Sequence, residues 1–168
     1  RLRSQHLIVT HHGLGSFVCN PDNFESDDAE MVKIDLSEND FKSFYDLRAC
    51  IESRAVFLSA HVASEEDLEH IREALNKMEA CAKADDLEGF TAADLAFHTA
   101  IVECSHSSML IKAYKSCKTE LYSGLYELNR VRGGYSYALR SHRQLCAAIC
   151  SRDSEQVMKV MEKMQAFN

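Results

Sequence analysis

From Ser37 onward, apolar residues recur every three or four positions, the spacing of one face of an α-helix. The clearest case is Leu110, Tyr114, Cys117, Leu121, Leu125 and Leu128, an unbroken stripe that predicts a single helix over Ser108–Val131. The same period predicts helices near Glu38–His61, Glu65–Ala84, Leu87–Cys104 and Tyr135–Arg152, with a last one restarting at Asp153-Ser154 and ending near Phe167. Ser37-Glu38-Asn39-Asp40 and Ser64-Glu65-Glu66-Asp67 mark two starts, each a capping serine followed by early acids. Gly133-Gly134 breaks the pattern before Tyr135. Residues 1–20 read differently. Leu7-Ile8-Val9-Thr10 and Ser16-Phe17-Val18-Cys19 look like short strands around His11-His12-Gly13-Leu14-Gly15, whose glycines suit a hairpin turn. A lone hairpin is only marginally stable and needs a partner. Asn20-Pro21-Asp22-Asn23 and the acidic run Glu25-Ser26-Asp27-Asp28 make residues 21–36 a linker, with a short helix expected near Ala29–Val32. Residues 37–168 then form a helical bundle.

Polar residues interrupt the apolar faces at three places. Asp94 and His98 lie four residues apart on the face that also carries Phe90, Phe97 and Ile101. His142 lies among Ala138, Leu145, Cys146 and Ile149 on another helix. Buried charge is costly unless it is paired or bound to a metal. Two readings stand open: an internal Asp–His hydrogen bond, or a site for a first-row divalent ion such as Zn, Ni or Mn. Arg48 is the third interruption, sharing a face with Phe41, Tyr45, Ile51 and Ala55. An inward guanidinium can grip a ligand carboxylate through two parallel hydrogen bonds, or pair with Glu52 one turn on. Asn129 and Arg130 are candidates for the mouth of the same pocket, and Cys146 for its border, with core packing the alternative. His61, His70 and His106 fall near helix ends or on polar faces, and His6, His11 and His12 in the hairpin, so all six read as surface residues. Met158, Met161 and Met164 join Val157 and Val160 in a core-like stripe.

Composition narrows the class. At 168 residues the chain is long enough for one sizeable core. Its 46% hydrophobic and 27% charged residues are ordinary for a soluble protein, and one Pro and six Gly suit long helices. No apolar run approaches a membrane span, and no signal peptide is visible. Seven cysteines without CxxC spacing fit reduced thiols in a cytoplasm. A net charge of −7 argues against this stretch being a nucleic-acid surface, while leaving DNA binding open to a segment outside it. No Gly-rich phosphate loop or nucleophile elbow is present.

Four stretches of residues 37–168, in the right order and at the right distances, resemble the FCD ligand-binding domain of GntR-type bacterial transcription regulators. Asp46-Leu47-Arg48-Ala49-Cys50-Ile51-Glu52 is similar to the family's first-helix signature. Asp94-Leu95-Ala96-Phe97-His98 resembles its D-x-x-F-H metal motif. Ser105-His106-Ser107-Ser108-Met109-Leu110 resembles the following turn, with Ser107-Ser108 where Asn-Pro is usual. His142-Arg143-Gln144-Leu145 through Ala148-Ile149 and Asp153 matches a fourth segment. In the hairpin, Gly13-Leu14-Gly15-Ser16-Phe17-Val18 resembles the G-x-G-T-F-V wing that closes a winged helix-turn-helix.

The resemblance implies an all-α antiparallel bundle of six to seven helices over residues 37–168, behind a wing remnant over 1–20 whose Gly13 and Gly15 belong to a DNA-binding surface. The helix-turn-helix itself is then expected before Arg1. It implies a cytoplasmic homodimer, not an enzyme and not membrane-bound, that meets operator DNA through that N-terminal domain. The effector is expected to be a small carboxylate such as a sugar acid or hydroxy acid, bound by Arg48, Glu52 and Asn129. Asp94, His98 and His142 become three metal ligands. The fourth ligand is usually a histidine 22 residues after the position of His142, and here that residue is Met164. A thioether is a poor ligand for Zn or Ni, so weakened metal binding is expected. Two alternatives stand beside this reading. One is a metal-free acyl-ligand or carboxylate sensor using Arg48, His98 and His142 directly. The other is a metal-dependent hydrolase, for which Glu52 and Glu103 are the near candidates as general base.

Overall fold

Ser37 and Ser64 each start a helix by a reciprocal exchange. The Ser37 hydroxyl accepts from the backbone N–H of Asp40, and the Asp40 carboxylate accepts from the backbone N–H of Ser37; Ser64 and Asp67 repeat the arrangement. Each box satisfies two N–H groups that a helix start leaves without partners. The computed structural model describes residues 8–11, 15–18, 37–131 and 135–166. The two boxes open α1 (Glu38–Val62) and α2 (Glu65–Lys83), and α3 (Leu87–Cys104), α4 (Ser108–Ser116), α5 (Lys118–Val131), α6 (Tyr135–Cys150) and α7 (Ser154–Ala166) follow. This is an all-α bundle.

The chain divides into two compact units, Arg1–Val32 and Lys33–Asn168. In the first, β1 (Ile8–His11) pairs antiparallel with β2 (Gly15–Val18), Ile8 opposite Val18 and His11 opposite Gly15. His11 and Gly15, expected in the turn, are strand ends. Gly13, Cys19, the linker over 21–36 with its Ala29–Val32 helix, and Gly133-Gly134 lie outside the described residues.

One expected helix is two. At Cys117 the backbone leaves helical geometry (φ −107°, ψ 22°), and its N–H reaches back only three residues, to the Tyr114 carbonyl at 3.2 Å. The ladder resumes when Leu121 N–H takes the Cys117 carbonyl at 2.9 Å. The apolar stripe runs through this break undisturbed, because a single displaced residue in the backbone ladder leaves the side-chain periodicity intact.

α3 is the central element. Eleven of its eighteen residues are buried, and it packs against α1, α2, α4 and α5. Phe90, Phe97 and Ile101 from α3 share a core with Leu68, Ile71 and Met78 of α2 and Leu145 and Ile149 of α6. Each such side chain contributes roughly 1.5–3 kcal/mol by leaving water. That seam is what holds the polar Asp94 and His98 of the same helix in the interior. On the other side of α3, Gly124 lets α5 come close to α1: a Cβ there would stand 2.6 Å from the Phe44 ring. The approach brings Leu125, Leu128 and Asn129 to the cavity that Arg48 and Glu52 also line.

Candidate metal and anion site

Five helices converge on one pocket of about 70 Å³. α1 supplies Arg48 and Glu52, α3 supplies Asp94 and His98, α5 supplies Asn129, α6 supplies His142, and α7 supplies Met161 and Met164. Asp94, His98 and His142 are 2%, 2% and 5% exposed.

Three atoms point at each other. His142 Nε2 lies 2.9 Å from Asp94 Oδ1, His98 Nε2 lies 3.4 Å from the same oxygen, and the two Nε2 atoms are 3.0 Å apart. Among the described residues, Asp94 Oδ1 is the buried side-chain oxygen or nitrogen with no hydrogen-bond partner. The far sides of the rings explain why. His142 Nδ1 stands 2.6 Å from the Ala138 carbonyl, and His98 Nδ1 stands 3.3 Å from Glu52 Oε2. A hydrogen on each Nδ1 faces those acceptors and leaves both Nε2 lone pairs bare. In that tautomer two lone pairs and a carboxylate oxygen face one another with no proton between them.

A divalent ion fits that arrangement. Two donor atoms about 2.1 Å from one ion are about 3.0 Å apart at a right angle and about 3.4 Å apart at the tetrahedral angle. The three separations fall at those values. The donor set of two imidazoles and a carboxylate suits a first-row metal; His142 has in the Ala138 carbonyl the outer hydrogen bond that metal-ligating histidines usually have, and His98 has Glu52 Oε2 3.3 Å from its Nδ1. Met164 also lines the pocket but brings a thioether.

Arg48 and Glu52 form their pair inside the bundle rather than at a helix edge. Arg48 Nε donates to Glu52 Oε1 at 2.8 Å and Nη2 to Oε2 at 3.2 Å, with side chains 12% and 4% exposed. Tyr114 Oη also donates to Glu52 Oε1, at 2.6 Å. Burial by itself would raise the Glu52 carboxyl, but Arg48 and then His98 reverse this and hold it well below the usual carboxylate range. Asp94 is likewise held low against its burial, chiefly by His142 and His98. His98 is raised: burial works against its charged form, and the Glu52 charge, with the Asp94 carboxylate beside it, more than offsets burial and Arg48. Arg48 Nη2 lies 2.8 Å from His98 Nε2 and 3.4 Å from Nδ1, against the face of the ring.

The remaining candidates separate cleanly. Asn129 Nδ2 donates to Asp94 Oδ2 at 3.0 Å, orienting the carboxylate so that Oδ1 faces the histidines. Arg130 instead pairs with Glu127 on the surface. Glu103, a candidate general base, is out of the site: it is half-exposed and bonded to Lys115 at 2.6 Å, because it lies on the face of α3 opposite the pocket. Cys146 is buried in the core and does not line the cavity. His61 and His70 are exposed, and His106 meets Asp67 at 2.8 Å near the start of α2. His6 and His12 lie outside the described residues. Gly15 begins β2, in the first unit. Sequence reasoning missed Tyr114, whose place in an apolar stripe masks a hydroxyl aimed at Glu52. It also missed Tyr45, Tyr137 and Ser141 on the pocket wall.

A family profile for the FCD domain matches residues 43–166. The fold is similar to that of a solved Escherichia coli protein, McbR/YncC, with TM-score 0.70, 18% identity, and coverage of 100% of this chain and 77% of that one. It is similar to a Streptococcus agalactiae GntR protein with TM-score 0.66, 16% identity and coverage of 98% and 75%. A Rhodococcus protein described as a GntR-type transcriptional regulator gives TM-score 0.60, 17% identity and coverage of 98% and 73%.

Proposed function

The chain belongs to the FCD domain family, and from that premise we propose that residues 37–168 are the effector-binding and dimerisation part of a metabolite-responsive bacterial transcription regulator of the GntR type. The hairpin is the wing of a winged helix-turn-helix that contacts operator DNA, and residues 21–36 are the linker that carries the signal. Asp94, His98 and His142 hold a divalent ion with Zn, Ni or Mn chemistry, and Arg48 holds the carboxylate of a small sugar acid or hydroxy acid. A bound ion would supply a positive centre attractive to a carboxylate oxygen. Arg48 presents the planar fork that recognises the same group. Asn129 and Glu52 orient Asp94 and His98. The protein works in the cytoplasm as a homodimer; among the described residues no helix is long and apolar enough to cross a membrane.

The observation that carries this reading is the buried Asp94 Oδ1, left without a hydrogen bond and facing two histidine nitrogens. The test has two arms. Metal analysis of protein purified without chelator should find about one divalent ion per chain, lost in Asp94→Ala. Thermal melts against a panel of small carboxylates should show a selective rise that chelation abolishes. Metal-free wild-type protein would refute the metal centre. A rise that survives chelation would transfer the ligand to Arg48 and the histidines acting alone, a reading that the direct Arg48–His98 contact favours. A hydrolase reading has less support. Glu52 is committed to Arg48, Tyr114 and His98, Glu103 is outside the pocket, and Asp94 would itself be a metal ligand, so among the described residues the pocket offers no further carboxylate as a general base.

A further inference from the structure

The pocket is not polar all round. Both residues that α7 brings to it are methionines, Met161 and Met164, and α5 adds Leu125 and Leu128. Alkyl and thioether groups offer a buried hydroxyl no donor and no strong acceptor. Asn129 is the polar residue that α5 brings to the wall, and its amide nitrogen already donates to Asp94 Oδ2 at 3.0 Å. Elsewhere on the wall, Glu52 is taken by Arg48 and Tyr114, and Tyr45 and Tyr137 have partners of their own. Ser141 adds one hydroxyl. A single carboxylate is well provided for by the Arg48 guanidinium, whereas a string of further hydroxyls is not.

We infer that the pocket selects a short hydroxy acid whose chain beyond C2 is apolar, against a sugar acid of the same length. This deepens the regulator reading, rests on its carboxylate site, and chooses between the two acids named there. The reason is desolvation. A sugar acid carries a hydroxyl on every carbon beyond the carboxyl, and each gives up water on entering the pocket. A hydroxyl that leaves water without a new partner weakens binding, while a methyl or methylene group in its place gains by leaving water. Along α5 and α7 the chain of the acid meets two leucines and two methionines, which serve an alkyl chain as a small apolar core and serve hydroxyls not at all. Met164 thereby supports the acid rather than the ion.

The experiment is a calorimetric titration of the full chain, as purified, with 2-hydroxybutyrate and with erythronate of the same configuration at C2. The two acids share the carboxylate, the C2 hydroxyl and the number of carbons, and differ only in hydroxyls at C3 and C4. Their ratio therefore reads the surroundings of the chain and not the grip on the carboxylate. A hydroxyl added to a ligand in an apolar pocket is rejected by up to about a hundredfold, so 2-hydroxybutyrate should bind at least about tenfold more tightly than erythronate. Met164→Gln, which sets an amide where the thioether was, should narrow that ratio several-fold. Both acids are compared on the same variant, so a loss of stability common to both cancels. Erythronate binding as tightly as 2-hydroxybutyrate, or more tightly, would overturn the inference while the carboxylate site stood. An unchanged ratio in Met164→Gln would overturn the part given to α7. Failure of both acids to bind wild type would overturn the carboxylate site and the inference together.

Discussion

Replacing Tyr114 with phenylalanine removes one buried oxygen and leaves the ring to fill its space. Tyr114 and Glu52 are 1% and 3% exposed, and their contact is 2.6 Å, the length of a hydrogen bond to an ionised acceptor. Burial, followed by the Glu52 charge, pushes the Tyr114 hydroxyl well above its ordinary value of 10, so it remains a donor at every pH at which the bundle is folded. Arg48 and His98 keep Glu52 ionised in the variant, and the carboxylate loses one donor it cannot replace with water. Hydrogen bonds to charged groups contribute about 1.5–3 kcal/mol, and no cavity forms to add to that. Tyr114→Phe should therefore lose about 2 kcal/mol in urea denaturation with an unchanged m-value, or about 6 °C in melting temperature for a bundle of this size. A cycle with Glu52→Gln should return a coupling of at least about 1 kcal/mol. A loss under about 0.5 kcal/mol, or strict additivity in the cycle, would refute the claim that this hydroxyl supports the buried charge network.

Met164→His restores an imidazole on the pocket wall and should raise Zn²⁺ affinity at least about tenfold over wild type by calorimetry; equal affinities would mean that α7 does not reach the ion. Gly124→Ala sets a methyl group 2.6 Å from the Phe44 ring. Overpacking of about 1–3 kcal/mol should outweigh the gain of about 1 kcal/mol in helix propensity, a net loss that urea denaturation would read and that a neutral result would disprove. Asp67 gives a pH dependence. Burial alone would raise its carboxyl, but hydrogen bonds from Ser64 and His106 lower it below its ordinary 3.8. Its stabilisation is thus fully present above that value and lost as the pH falls through the lower folded one. Asp67→Asn should narrow the gap in urea midpoint between neutral pH and about pH 3, and an unchanged gap would count against it.

The helices and most of the polar interior were legible in the order of residues alone. Helical period and capping serines fix where chains coil, since both are local: Ser64 needs only Asp67, three residues away, to start α2. Asp94, His98, His142 and Arg48 were legible as anomalies because each violates an apolar face that its own neighbours define. The break at Cys117 was not legible, because side-chain period carries no record of one missing backbone bond. Which of these anomalies meet depends on the packing of the helices. Arg48 and Glu52 could have satisfied each other at a helix edge, and Glu103 stood beside Glu52 as a candidate general base. Helix packing alone turned Glu52 inward to His98 and Tyr114, and left Glu103 outside with Lys115. The tautomers follow the same rule. Glu52 Oε2 and the Ala138 carbonyl, reached across the bundle and along α6, give each ring an acceptor for its Nδ1 hydrogen and bare the Nε2 atoms toward Asp94. Contacts between residues fifty positions apart depend on how helices are rotated against one another, and that rotation is set by the whole core rather than by any local stretch of chain.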